Sequence, residues 1–441
     1  MPIRDIAIVA IVIALAILAL RRPWIGVMNW TWLSIMNPHR YTWGFAYSAP
    51  VASVAAVSTL IGLLFTKEKR SPFQGAPTIW LFFFAIWITL SWLLGYDPAG
   101  DYDQWNKVMK IYLMTFVALM LLQNKLQIMT FAWVTTGSLA FLAAKGGLFT
   151  VLTGGAYRVW GPTGSFIADN NHFALATIIA IPMLRFLQLQ LQIKWQRHVM
   201  TAVILLCVAA ALGSQSRGAF LALAAMGAVF WWRSAQKGLI GLAIAVIVFA
   251  MLPMMPEEWW ARMHTISDYE QDASAMGRIN AWLVAFEVAK HSLLGGGMSY
   301  QHDAYFAMYG VYENNVRAAH SIYFQVLGNH GFIGVFLYMM IWITSFRYAG
   351  KLRASSRKWQ ASRWAEDLGA MAQVSLVGFA TGGAFLSMPY FDLPYNIMVI
   401  VVLALKWVEK RAWETEHEIS FRELVGWKKK VLAENRTSFR S

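Results

Sequence analysis

Two arginines and a histidine from separate stretches of the chain could act together on an anionic substrate. His320 stands where a long polar segment, 256–319, gives way to an apolar run, with Ser321 beside it. No carboxylate or cysteine lies nearby in sequence to complete a metal site, and a neutral imidazole there could take the proton of an attacking hydroxyl. Arg217, in SQSRGAF at 214–220, sits between two apolar runs with almost no loop around it. A guanidinium in that setting is costly unless it snorkels to an interface or holds an anion. A boundary anchor would explain it alone, but Arg278, in SAMGRINAW at 274–282, supplies a second cation near the start of a helix. Two guanidiniums match a pyrophosphate. His330 is better read as a packed or hydrogen-bonded histidine, and His172, His264, His291 and His302 have weaker claims.

Other polar groups carry two readings each. Asp101-Tyr102-Asp103 spells a DxD that could hold a divalent cation or simply form a solvated acidic turn. Asp169, Asn170 and Asn171, at the end of GPTGSFIADNNH (161–172), suit a helix cap, although Asn171 could also contact a ligand's hydroxyls. Asp392, in MPYFDLPYN, could orient an acceptor or a catalytic arginine, or could be a turn residue. Arg158 and Ser321 complete the possible contacts. Trp259, Trp260 and Trp282 could stack on flat apolar faces, though an interfacial aromatic belt explains most of them.

The elements that must position these groups are helices in lipid. The chain has 441 residues, 58% hydrophobic and 14% charged. Its apolar runs of about 17 to 25 residues fit bilayer-spanning helices. The fold class is therefore all-α, a polytopic membrane protein with about twelve transmembrane helices and one large periplasmic helical loop. The single cysteine, Cys207, excludes an intrachain disulfide and any CxxC site. The net charge of +14 is scattered through short loops and the tail, which sets topology and argues against nucleic acid as a partner.

The expected organisation is a bundle of about nine spans over 1–255, a loop domain over 256–319, about three spans over 320–410 and a basic tail over 411–441. Positive charge at Lys67, Lys69 and Arg70, at Lys125, across 347–367 and in the tail predicts that both termini are cytoplasmic. The 22–45 connection, with Arg22 and Arg40, blurs the rule. Within the loop, 277–292 places Ile279, Trp282, Leu283, Phe286 and Ala289 at helical spacing, which predicts a helix on or near the membrane surface.

These residues resemble the bacterial O-antigen ligase superfamily of polytopic inner-membrane glycan ligases and polymerases, over nearly the whole chain. The most specific element is a family pattern of His, then Asn, Ser or Gln, nine residues, Gly, two residues, and Gly, Thr or Tyr, matched by His320, Ser321, Gly331 and Gly334. The long loop before that histidine and the SQSRGAF arginine fit as well. The resemblance implies an inner-membrane, metal-independent and cofactor-free inverting glycosyltransferase whose active site faces the periplasm. It would transfer a glycan from undecaprenyl pyrophosphate to lipid A-core. Arg217 and Arg278 would hold the pyrophosphate, His320 would act on the acceptor hydroxyl, and the two glycines would let helices approach closely. Protein O-oligosaccharyltransferases and O-antigen polymerases share this layout. A lipid-linked oligosaccharide flippase is the rival from another class, although the polar groups gather on one side rather than around a central cavity.

Overall fold

The computed structural model describes residues 3–233, 237–238, 241–242, 249, 273–312 and 315–416, and among these it contains helices and turns but no strand. The helices are α1 (Ile3–Arg21), α2 (Pro23–Met36), α3 (Val51–Phe65), α4 (Ala76–Leu93), α5 (Tyr102–Leu121), α6 (Lys125–Leu152), α7 (Asn170–Gln190), α8 (Lys194–Gly213) and α9 (Arg217–Arg233). They are followed by α10 (Ala273–His291), α11 (Asp303–Tyr309), α12 (Ile322–Ser356), α13 (Arg363–Gly383) and α14 (Asp392–Glu409). Six of them, α1, α4, α6, α7, α8 and α12, are long and apolar enough to cross a membrane, and Val51–Phe65 and Gly218–Trp232 are shorter apolar helices. Most of the expected span near 238–255, together with Trp259, Trp260, His264 and the Lys428–Lys430 tail, lies outside the described residues.

Contacts between connections sort the chain into two ends. At one end Arg22 meets Glu68, the Arg70 N–H bonds Met120, the Tyr348 hydroxyl takes the Ala76 N–H, the Lys125 N–H bonds Glu416 and Lys351 pairs with Glu409. At the other, Arg4 donates to the Tyr41 carbonyl, the Ala46 N–H donates to Asp5, and Asn170 donates to the Ser214 carbonyl. Ser91 reaches Leu294 there, and Trp282 reaches Ala319 next to His320.

This arrangement corrects two expectations. The 22–45 segment is not one connection: α2 turns back from Arg22, starting on Pro23 and ending at Asn37 in the left-handed region before Pro38. Arg21 and Arg22 therefore sit at the basic end with Lys67, Lys69 and Arg70, while Arg40 lies at the His320 end. By the same path, the two ends of the described chain do not share a side. Arg4 is at the His320 end and Glu416 is opposite it, because the extra helix adds one traverse.

The helices form where local sequence supports them. Asn124 caps α6 by accepting the Gln127 N–H at 2.8 Å while Gln127 reaches back to the Asn124 N–H. The core runs through α4–α8 and the almost fully buried α14. α10 is the expected helix, but it buries a different face: Ala281, Val284, Ala285 and Val288 pack with Tyr300, Phe306 and Ala319, leaving Ile279, Leu283 and Phe286 exposed. Small side chains allow the close helix contact, so the bulkier apolar ones are left facing outward.

Candidate active site

His320 lies just before Ser321, the N-cap of α12, and adopts a left-handed φ of 46°. A non-glycine residue held there stores about 1 kcal/mol of strain and needs its surroundings to enforce it. Those surroundings are visible. On the N-terminal side, the Trp282 indole donates to the Ala319 carbonyl at 2.6 Å and stacks on Phe324, with ring centroids 4.8 Å apart. On the C-terminal side, buried Ser321 starts α12, its carbonyl taking the Gln325 N–H at 2.9 Å. Arg278 lies one turn before Trp282 on α10, so the same helix face that clamps Ala319 brings Arg278 toward the imidazole. Burial, together with the nearby positive charges of Arg278 and Arg317 and the His172 ring, holds the His320 pKa below its usual value, while Asp169 works the other way. The imidazole is thus biased to its neutral, proton-accepting form.

Asp169 caps α7 as expected, accepting from the Asn171 and His172 N–H groups at 2.8 and 3.4 Å. The Asn171 side chain turns back onto Asp169 and Asn170, at 3.0 and 3.2 Å. Asn170 donates to the Ser214 carbonyl at 2.7 Å, which ties the start of α7 to the turn that launches α9. In that turn Gln215 has a φ of 55° and accepts from Arg158 Nε at 3.2 Å, while its amide donates to the Gly155 carbonyl at 3.2 Å. The Ser216 hydroxyl oxygen then accepts the Ala219 N–H, and α9 begins at Arg217. Gly218 packs on Phe385 and Leu386 just beyond α13, and Gly383 packs on Ile322, two residues from His320. The first residues of α9 and of α12 therefore meet the same end of α13, and Arg217, Arg278, His320 and Arg158 belong to one end of the bundle. His172, Gln215 and Arg317 join this group; only His172 stood out in the sequence, and weakly, because their placement depends on turns that no periodicity encodes.

Gly331 breaks α12 with a φ of 67°. A Cβ there would stand 2.4 Å from the Leu293 carbonyl oxygen, so the loop after α10 fills the break. The freed carbonyls of Gly328 and Asn329 accept the Gly296 and Gly297 N–H groups at 2.8 and 3.0 Å. The close approach expected of Gly331 is therefore real, although its partner is a loop. Gly334 packs near Trp87. His330 is fully buried and bonds Ser91 at 2.9 Å and the Tyr390 hydroxyl at 2.6 Å, in keeping with a packed rather than a reacting histidine.

Two sequence candidates have other partners. Asp101 is buried and accepts the Met298 and Ser299 N–H groups at 2.7 and 3.1 Å, with burial raising its pKa, whereas Asp103 is exposed. Asp101 is thus a latch on the 293–300 loop, and the DxD carboxylates diverge. Among the described residues no three His, Cys, Asp or Glu side chains gather as a metal site. Asp392 is buried at the start of α14 and hydrogen-bonded to Ser34 of α2.

Residues 202–339 match a family model described as O-Antigen ligase. This O-antigen ligase domain at 202–339 supports membership of the O-antigen ligase superfamily. Residues 3–192 match a family of unknown function (DUF5935), and no curated protein matches the chain. Arg217, Arg278 and His320 all fall in the O-antigen ligase match, while Arg158, Asp169 and His172 come from the other. The candidate site is built from both stretches.

Proposed function

We propose that the protein is an inverting glycan ligase that transfers an O-antigen glycan from undecaprenyl pyrophosphate to a hydroxyl of lipid A-core at the periplasmic leaflet of the inner membrane. Arg217 and Arg278 hold the pyrophosphate and offset the charge that grows on it as the bond to the anomeric carbon breaks. The acceptor oxygen attacks from the opposite face, its proton passes to the neutral His320 imidazole, and undecaprenyl pyrophosphate leaves with the bonding electron pair. No nucleotide or metal takes part. The observation that carries this reading is the strained His320 at the mouth of α12 with Arg278 close enough to depress its basicity, at the end of the bundle where α9 begins with Arg217.

The test is transfer by purified full-length protein given labelled lipid-linked glycan and, in parallel, lipid A-core, a pilin-like protein and unlabelled lipid-linked glycan. Labelled lipid A-core, formed in the presence of EDTA and lost in His320→Ala, is the expected result. Label on protein or on a lengthening lipid-linked chain would instead assign a protein O-oligosaccharyltransferase or a polymerase. Equal transfer by His320→Ala would remove the histidine mechanism.

A further inference from the structure

The segment between α2 and α3 and the 161–167 loop gather cations that the chemistry above does not use. Arg40 is half-buried, with its guanidinium carbon 4.9 Å from the Tyr47 ring centroid. It also lies over Gly164, whose φ of 74° keeps that surface free of a side chain. The Tyr47 hydroxyl is hydrogen-bonded with Thr163 and Arg40. Arg40 Nε is buried without a hydrogen-bond partner, an expensive state for part of a charged group. At the next residue in the chain, Lys145 Nζ stands 5.1 Å from the Tyr41 ring centroid, and Arg4 donates to the Tyr41 carbonyl. The carboxylate in this cluster, Asp5, is buried and accepts the Ala46 N–H.

Lys145 also points to where a ligand would come from. It is exposed on a face of α6 that also exposes Phe141, Leu148, Phe149 and Leu152, an apolar stripe suited to acyl chains. At the helical rise, Lys145 lies about 10 Å below the end of α6. A lysine at that depth on a lipid-facing helix bends toward the interface, where lipid phosphates sit. Trp43, Tyr157 and Trp160 are exposed nearby in the chain, as suits a headgroup boundary.

We infer that Arg40 and Lys145, with the 41–47 segment and Gly164, form a second phosphate site that takes the headgroup of a membrane lipid, separate from the Arg217, Arg278 and His320 group. The phosphate belongs either to a glycerophospholipid or to a polyprenyl phosphate, and binding distinguishes them without any transfer reaction.

Native mass spectrometry of the full-length protein in detergent, titrated separately with phosphatidylglycerol, undecaprenyl phosphate and inorganic phosphate, tests this. At least one lipid should bind, and Arg40→Gln/Lys145→Gln should weaken it by about thirtyfold, as expected for two lost cation–phosphate contacts. His320→Ala should bind as wild type, and Arg40→Lys should fall between. The lipid that loses more affinity identifies the source. If the double variant fails to fold, Lys145→Gln alone carries the test, since this side chain is exposed. Unchanged lipid binding in the charge-removed protein, equal loss in His320→Ala, or binding of inorganic phosphate but neither lipid would overturn the proposal.

Discussion

The two ends of the bundle handle charge and backbone differently. At the basic end, cations are paired: Arg22 with Glu68, Lys351 and Lys406 with Glu409, Arg357 with Glu366 and Arg411 with Glu414. At the His320 end Glu287 pairs with Lys290 and His291, but Arg158 is held by an amide and Arg40 by a tyrosine ring. The left-handed residues concentrate there too, with Asn37, Gln215, His320, Gly164, Gly295, Gly297 and Gly331 on that side against Arg411 on the other. One end is built for topology and solubility. The other keeps positive charge and stored strain, the combination a site needs to receive an anion in fixed geometry.

Substitutions can break this contrast. The largest effect should come from His320→Ala, with transfer falling by about a hundredfold or more as the base is lost while folding persists. Arg217→Lys and Arg278→Lys keep the charge but lose the fork, and each should lower transfer by about ten- to a hundredfold; wild-type rates in both would count against a pyrophosphate clamp. Next is Gly331→Ala, where a Cβ would collide with the Leu293 carbonyl in a left-handed conformation. Thermal unfolding in detergent should show a loss of about 2 kcal/mol or more, and an unchanged midpoint would mean that the break in α12 is not constrained.

A pH profile sharpens the electrostatic half of the comparison. Because burial and neighbouring cations lower the His320 pKa from 6.5, the proton-accepting form persists below that pH, and the acid limb of transfer should lie under 6.5. Arg317→Gln removes one of those cations and should move the limb upward; a downward move would reverse the assigned sign. The smallest effect belongs to the opposite end. Lys351→Ala or Arg357→Ala breaks an exposed pair and should cost under about 1 kcal/mol, leaving transfer intact.

Much of the site is legible before any folding is considered. His320, Ser321, Gly331 and Gly334 form a spaced pattern, and Arg217 and Arg278 stand out as cations in apolar or helical settings. Asp169 reads correctly as a cap because capping is local, depending on the next three residues. Asp101 does not read correctly, since its partners, Met298 and Ser299, are almost two hundred residues away and loop-borne. Arg40 blurred the charge rule for the same kind of reason: the short α2, interrupted by Asn29 and closed by Asn37-Pro38, looks like a connection until its burial against α3, α5 and α6 is seen.

By itself the sequence determined that the chain is helical, that it is rich enough in apolar surface to need lipid, and which family pattern it carries, because composition, periodicity and residue spacing are local quantities. Only the tertiary structure decided that α2 turns back and puts the N-terminal residues at the His320 end. Only it decided that α10 hides its small face rather than its large one, and that Asn170, Gln215 and the end of α13 draw the starts of α7, α9 and α12 together. Those outcomes depend on which surfaces meet, and such contacts are selected by shape and hydrogen-bond satisfaction across the whole bundle rather than by neighbours along the chain.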